Sequence, residues 1–144
     1  MRRWLIPLAL VMLALVFRFA DLPNVRHSYD NAYQQYLALQ MIDGRMLLRV
    51  GQPSSVFLDN PPLMAYLQLM PLLIWRSLWS PYIFVTFLNS IAVWFVYDVT
   101  QRLFDRPTAI LAAVLFAINP WLVHYSRMTW TQGLQPFLMA VIAW

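Results

Sequence analysis

Cysteine, lysine and glutamate are missing from this 144-residue chain, and glycine occurs three times. Without cysteine there is no disulfide framework and no thiolate-ligated zinc or iron–sulfur site, while the compartment stays open. Gly44, Gly51 and Gly133 are too few and too far apart for a P-loop or a dinucleotide fingerprint. His27 and His124 are also far apart, so no H-E-x-x-H pair exists, and no G-x-S-x-G elbow is present. Two histidines and six aspartates leave room for no more than a loose ion site. The expectation is therefore no cofactor, with a divalent ion left open. Charge is scarce as well: 11% of residues, against about 25% in soluble domains. All ten cations are arginine, and the net charge is +4. No arginine cluster interleaves with aromatics, which argues against nucleic acid. Basic residues flanking apolar segments suit lipid headgroups instead.

What fills the chain is apolar: 61% hydrophobic and 16% aromatic. A helix needs about 20 mostly apolar residues to cross a bilayer. Four uncharged runs meet or approach that length, predicting spans at about 4–20, 81–101, 107–124 and 128–144. The fold class expected is an all-α integral membrane protein, a multi-span helical bundle. A stretch of different character, about 21–80, separates the first predicted span from the second. The last run stops at Trp144 without a flanking charge, which reads as a truncated chain. Met1-Arg2-Arg3 before a leucine-rich run looks like a secretory signal. A cleavage site after Ala20 would put Arg18 at −3, where a small residue is needed, so the first run reads as an uncleaved anchor. Arg18 is expected to snorkel from near the helix end.

Within the loop, Ser28 to Gly44 reads as a modestly amphipathic helix of about four turns, capped by Ser28 or Asp30 and stopped by Gly44. Tyr29, Tyr33, Tyr36, Leu37, Gln40 and Met41 share one face, and Asn31, Gln34, Gln35 and Ala38 the other. Such a helix suits a membrane surface. Residues 50–60 read as a loop, and Asn60-Pro61-Pro62 as the cap and first turn of a helix running to Trp75. Pro71 sits inside that stretch, which is either a short kinked span or an interfacial helix. The positive-inside rule puts Arg2 and Arg3 in the cytoplasm. The remaining arginines divide equally well under both topologies, so charge alone leaves the choice open.

Polar residues at the predicted membrane edges are the places for chemistry. Asp30 opens the loop helix, where capping and dipole complementarity give it an ordinary structural role. Asp59 reads as part of a turn and cap. His124, Tyr125 and Arg127 read as an interfacial cluster. Asp98 and Arg102 are one helical turn apart and should pair.

The order of these features resembles the N-terminal part of a GT-C glycosyltransferase of the protein mannosyltransferase and aminoarabinose transferase type, glycosyltransferase family 39. The carrying residues are Phe17-Arg18-Phe19, Ser28-Tyr29-Asp30-Asn31, Asp43-Gly44 and Asp59-Asn60-Pro61-Pro62-Leu63. Arg102-Leu103-Phe104-Asp105-Arg106, Asn119-Pro120, Ser126-Arg127 and Gln135-Pro136-Phe137 continue the pattern. Each motif is weak alone, and the ordered spacing over the whole chain carries the likeness. Two positions depart from it. Asn31 follows Asp30 where an acidic pair is common, and Gln135 stands where many members have an acid that a glutamine cannot replace as base.

The resemblance implies a membrane enzyme that transfers a sugar from a polyprenyl-phosphate donor to an extracytoplasmic acceptor. The lipid bilayer is then its second partner, and the inner or plasma membrane its location. Asp30 matches the catalytic acid. Arg127, His124, Arg45 and Arg49 are candidate phosphate contacts, since the guanidinium fork suits phosphate. Asp59 and Gln135 are further candidates. The resemblance also makes residues 1–144 the N-terminal part of one transmembrane domain, and residues 62–75 a surface helix within an extracytoplasmic loop at about 21–80, which leaves Asp30 and Arg127 on one side. Two competitors remain: a transporter or flippase fragment, to which Asn89 and Asn119-Pro120 would belong, and a membrane protein without catalysis.

Overall fold

A computed structural model of the chain describes residues 4–20, 22–25, 27–54 and 58–144. Met1, Arg2 and Arg3, which carry the expected cytoplasmic end, lie outside the described residues. Seven α-helices follow one another: α1 (Leu5–Phe19), α2 (Tyr29–Ile42), α3 (Leu63–Ile74), α4 (Trp79–Leu103), α5 (Arg106–Ile118), α6 (Pro120–Tyr125) and α7 (Gln135–Ala143). Short 3-10 turns occupy Leu22–Asn24 and Thr131–Leu134. Among the described residues no strand occurs, and the one β-bridge joins Pro53 to Asp59. Two segments, Leu5–Asn24 and Trp79–Leu103, are long and apolar enough to cross a membrane. The all-helical class expected from the sequence therefore holds.

The chain divides into two compact units, one of Met1–Val25, Val85–Met128 and Gln132–Trp144, the other of Arg26–Phe84 and Thr129–Thr131. The first is built on a seam between α1 and α5. On α1 the inward stripe is Pro7, Leu10, Ala14 and Arg18. On α5 it is Ala109, Ala113 and Ala117, spaced four apart and fully buried. Small residues at that spacing let two helix backbones approach closely, the usual solution where lipid removes the hydrophobic drive between helices. Val93 and Tyr97 of α4 complete this cluster.

Arg18 departs from expectation. Rather than snorkelling, it is fully buried, and its guanidinium donates to the carbonyls of Ala117 (3.0 Å) and Phe116 (3.3 Å) while lying 6.0 Å from the centre of the Phe116 ring. The reason lies in α5. Pro120 has no amide hydrogen to continue the helix, so α5 ends at Ile118 and its last carbonyls lack intrahelical partners. A cation near a helix C-terminus satisfies them and complements the dipole. The run 107–124, expected as a single span, accordingly forms two helices that meet at Asn119. The Asn119 side chain accepts from the amides of Trp121 (2.9 Å) and Leu122 (3.1 Å) and so starts α6. At 128–144 the helix proper begins only at Gln135, after the turn Thr131–Leu134. Gly133 makes that turn possible, since a Cβ there would lie 1.9 Å from the Met128 carbonyl oxygen. Asn89, in mid-α4, donates to the Gly133 carbonyl at 2.8 Å and to that of Val85 at 3.0 Å. Its polar amide thus has a structural use, which weakens the transporter reading.

The second unit packs α2 on α3 through Leu37, Leu48 and Ala65, with Tyr33, Met41 and Tyr66 around them. Ser28 caps α2, accepting from the Asn31 amide at 3.3 Å, and Gly44 ends it at φ +67°, a left-handed conformation that glycine adopts without strain. α3 is 12 residues long, short of the roughly 20 that a crossing requires. Its N-cap position is Pro62 and not Asn60: the Asn60 side-chain amide instead donates to the Gln52 carbonyl at 2.9 Å.

Candidate functional site

The face of α2 that carries Asn31, Gln34, Gln35 and Ala38 is the buried one, while Tyr29 and Tyr36 point outward. Buried amides are generally hydrogen-bonded; here Gln35 Nε2 donates to the Leu78 carbonyl at 3.3 Å, and Gln34 ties Gln52 to the helix. Gln34 Nε2 donates to Gln52 Oε1 at 3.3 Å, and Gln52 Nε2 in turn donates to Asp30 Oδ1. The Gln52 carbonyl accepts from the backbone amide and the side chain of Asn60, both at 2.9 Å. The Gly51 amide closes the pair by donating to the Asn60 carbonyl at 2.8 Å. This close approach needs glycine, because a Cβ on Gly51 would meet the carbonyl oxygens of Asn60 and Pro61 at 2.7 Å. One half-exposed carboxylate, Asp30, is thereby held in the first turn of a helix by a buried, doubly anchored glutamine.

Just ahead of α2 in the chain, His27 belongs to an aromatic group. His27 Nδ1 and the Tyr82 hydroxyl are 3.0 Å apart, and the His27 ring meets Tyr82 and Trp79 edge to face at 5.0 and 5.5 Å. Asn31 also hydrogen-bonds the Tyr82 hydroxyl. Tyr82 is fully buried. The asparagine that replaces the second acid of the resembled pattern is therefore part of this polar cluster.

The other candidates are placed as follows. Asp59 is exposed and pairs with Pro53 in the same loop that supplies Gln52. Arg45 is exposed and lies 3.9 Å from Asp43, which also pairs with Arg76. It follows the C-terminal end of α2, about 20 Å along the helix axis from Asp30, so its charge is not beside that carboxylate. Arg49 is exposed on the returning segment, three residues before Gln52. His124, Arg127 and Gln135 belong to the first unit. His124 is exposed and meets Tyr125 edge to face at 5.4 Å, Arg127 Nε donates to the Val123 carbonyl at 3.2 Å, and Gln135 is the exposed first residue of α7. Among the described residues no three histidine or aspartate side chains gather as a metal site would require.

Gln52, Gln34, His27 and Tyr82 had no signature in the sequence. Their roles come from partners 18 to 55 residues away, and no local spacing announces such a pair.

The arrangement can hold a carboxylate ready to accept a proton from a hydroxyl, since a fixed donor on one oxygen orients the group without neutralising it. Comparison with known proteins adds one match. The model of the family described as dolichyl-phosphate-mannose-protein mannosyltransferase matches residues 59–144, more than half of the chain. No curated protein and no solved structure matches the chain.

Proposed function

Because the chain belongs to the dolichyl-phosphate-mannose-protein mannosyltransferase family, a family of mannosyltransferase-type glycosyltransferases, we propose that it contributes to a membrane site that moves a sugar from a polyprenyl-phosphate donor to an extracytoplasmic acceptor. The observation that carries the site is the Gln52 to Asp30 hydrogen bond at the start of α2. In this reading the acceptor oxygen attacks the anomeric carbon from the face opposite the phosphate. The bond between that carbon and the phosphate oxygen breaks, its electron pair leaves with the phosphate, and the hydroxyl proton passes to Asp30. Configuration inverts. Arg127, His124 and Arg49 are the candidates to counter the negative charge gathering on the phosphate, and Arg45, already beside Asp43, is the weakest of the four. The lipid tail lies in the bilayer among the apolar helices.

The membrane reading rests on the two long apolar helices and on the outward-facing leucines, isoleucines and tryptophans. It makes the chain a multi-pass protein of the cell membrane with a cytoplasmic N-terminus. Residues 62–75, too short to cross, then lie on the outer surface with α2. The deciding experiment is Asp30→Asn in the intact enzyme, assayed in membranes with a polyprenyl-phosphate sugar. Loss of a general base lowers turnover by about 10²–10⁴-fold. Asparagine keeps the shape, so thermal stability stays near that of the parent. Asp43→Asn serves as the comparison and retains most activity. An active Asp30→Asn enzyme refutes the assignment.

A further inference from the structure

At the start of α1, away from Arg18, and along the C-terminal half of α4, the first unit holds an open cavity of about 790 Å³ that the proposed transfer does not use. Its walls are apolar and aromatic where the helices are in contact: Trp4 and Trp94 meet with ring centres 5.2 Å apart, and Tyr97 continues the wall one turn on. Its mouth is basic. Arg102 and Arg106 line it, at the end of α4 and the start of α5. Asp98 is the one acid in the lining, and it is already engaged by Arg102 and by the indole N–H of Trp144 at 2.7 Å. Arg106 has no carboxylate partner among the described residues. The adjacent Asp105 turns its carboxylate to the Thr108 amide at 2.8 Å, which is the α5 cap. The lining therefore keeps one net positive charge, on Arg106. A second observation marks this end as lipid-facing. Leu103 and Phe104, in the turn between the two arginines, are about 70% exposed, an apolar pair flanked by cations where a bilayer interface would receive it.

We propose that this cavity binds an anionic phospholipid, its phosphate against Arg102 and Arg106 and an acyl chain along Trp4 and Trp94. The proposal rests on the membrane reading above but not on the sugar-transfer reading. Charge complementarity selects the occupant. A zwitterionic lipid would bring its own cation to a mouth that already has an excess of positive charge, whereas basic pockets between membrane helices take anionic headgroups. The site differs from the Asp30 region in chemistry: its one carboxylate, Asp98, is held by Arg102 and the Trp144 indole rather than left to serve a transfer reaction.

The test is tryptophan quenching by acyl-brominated lipids, with the full chain reconstituted in phosphatidylcholine vesicles. Brominated phosphatidylglycerol is expected to quench more strongly than the same amount of brominated phosphatidylcholine. Arg102→Gln and Arg106→Gln each lower that preference about fivefold, Trp94→Phe removes part of the quenched signal, and Arg76→Gln changes nothing. Equal quenching by the two lipids overturns the site and leaves the membrane reading intact. Vesicle-bound protein that neither lipid quenches at Trp94 also overturns it, since a protein segment then fills the cavity. A chain that fails to float with vesicles at all overturns the membrane reading, and this site with it.

Discussion

A guanidinium buried without a carboxylate is expensive unless its donors find acceptors, and at Arg18 the acceptors are two carbonyls of a helix that a proline has cut short. Arg18→Leu therefore strips two charge-assisted bonds and leaves both carbonyls unmet. The expected loss is about 1–3 kcal/mol, read as a lowered midpoint of thermal unfolding in detergent micelles. Arg18→Lys keeps the charge and one of the bonds and should recover part of the loss. If both variants unfold at the parent temperature, water or lipid is already satisfying the α5 terminus. The sequence shows an arginine near a span end, and snorkelling is the default for one. The partner that reverses that default is 99 residues away, beyond any local pattern. Asp30 drew attention in the sequence because its place at a helix start and the family likeness meet on one residue, while the cap itself is Ser28. Gln52 was not, since nothing in a proline-rich loop marks a glutamine as the anchor of a distant acid.

At the scale of elements, punctuation was the readable part. Ser28 and Gly44 bound α2 as their residue types require, and the uncharged run of α4 is a single helix. The break at Asn119-Pro120 is visible in the residues, yet hydropathy runs straight through it, so a span drawn from hydropathy alone crosses a helix end. The two close-packed glycines give a direct check. Gly51→Ala pushes a methyl group against two carbonyl oxygens and should cost about 1–3 kcal/mol, and Gly133→Ala more, because its contact is with backbone at 1.9 Å. Unfolding curves for both that overlay the parent would show these turns free to relax. α5 supplies a pH prediction. The Thr108 hydroxyl, and then its amide, hold the Asp105 carboxyl below the usual carboxylate range. A lowered native pKa means that the cap is fully in place above the ordinary value of about 3.9 and fades as pH falls through the lowered one. The Thr108 amide resonance should titrate with that low midpoint. Asp105→Asn keeps the cap and abolishes the titration.

For the whole molecule, sidedness is the quantity that the proposed function needs most. With no cysteine in the chain, single cysteines at 30 and 127 can be probed by an impermeant thiol reagent in intact cells. Both should label. Labelling of one alone would mean that residues 62–75 cross the bilayer after all, and that the carboxylate and the arginine cannot serve one reaction. The bond between Arg18 and the end of α5 carries one more consequence, for biosynthesis. The ribosome finishes α1 long before it makes Ala117. At about 5–20 residues per second, the 99-residue gap lasts roughly 5–20 s. On the membrane reading proposed above, the guanidinium has no helix end to bind throughout that interval, so the nascent α1 rides high, with its charge at the headgroups, until α5 is made. On that reading α1 reaches its final depth only after a helix made 99 residues later.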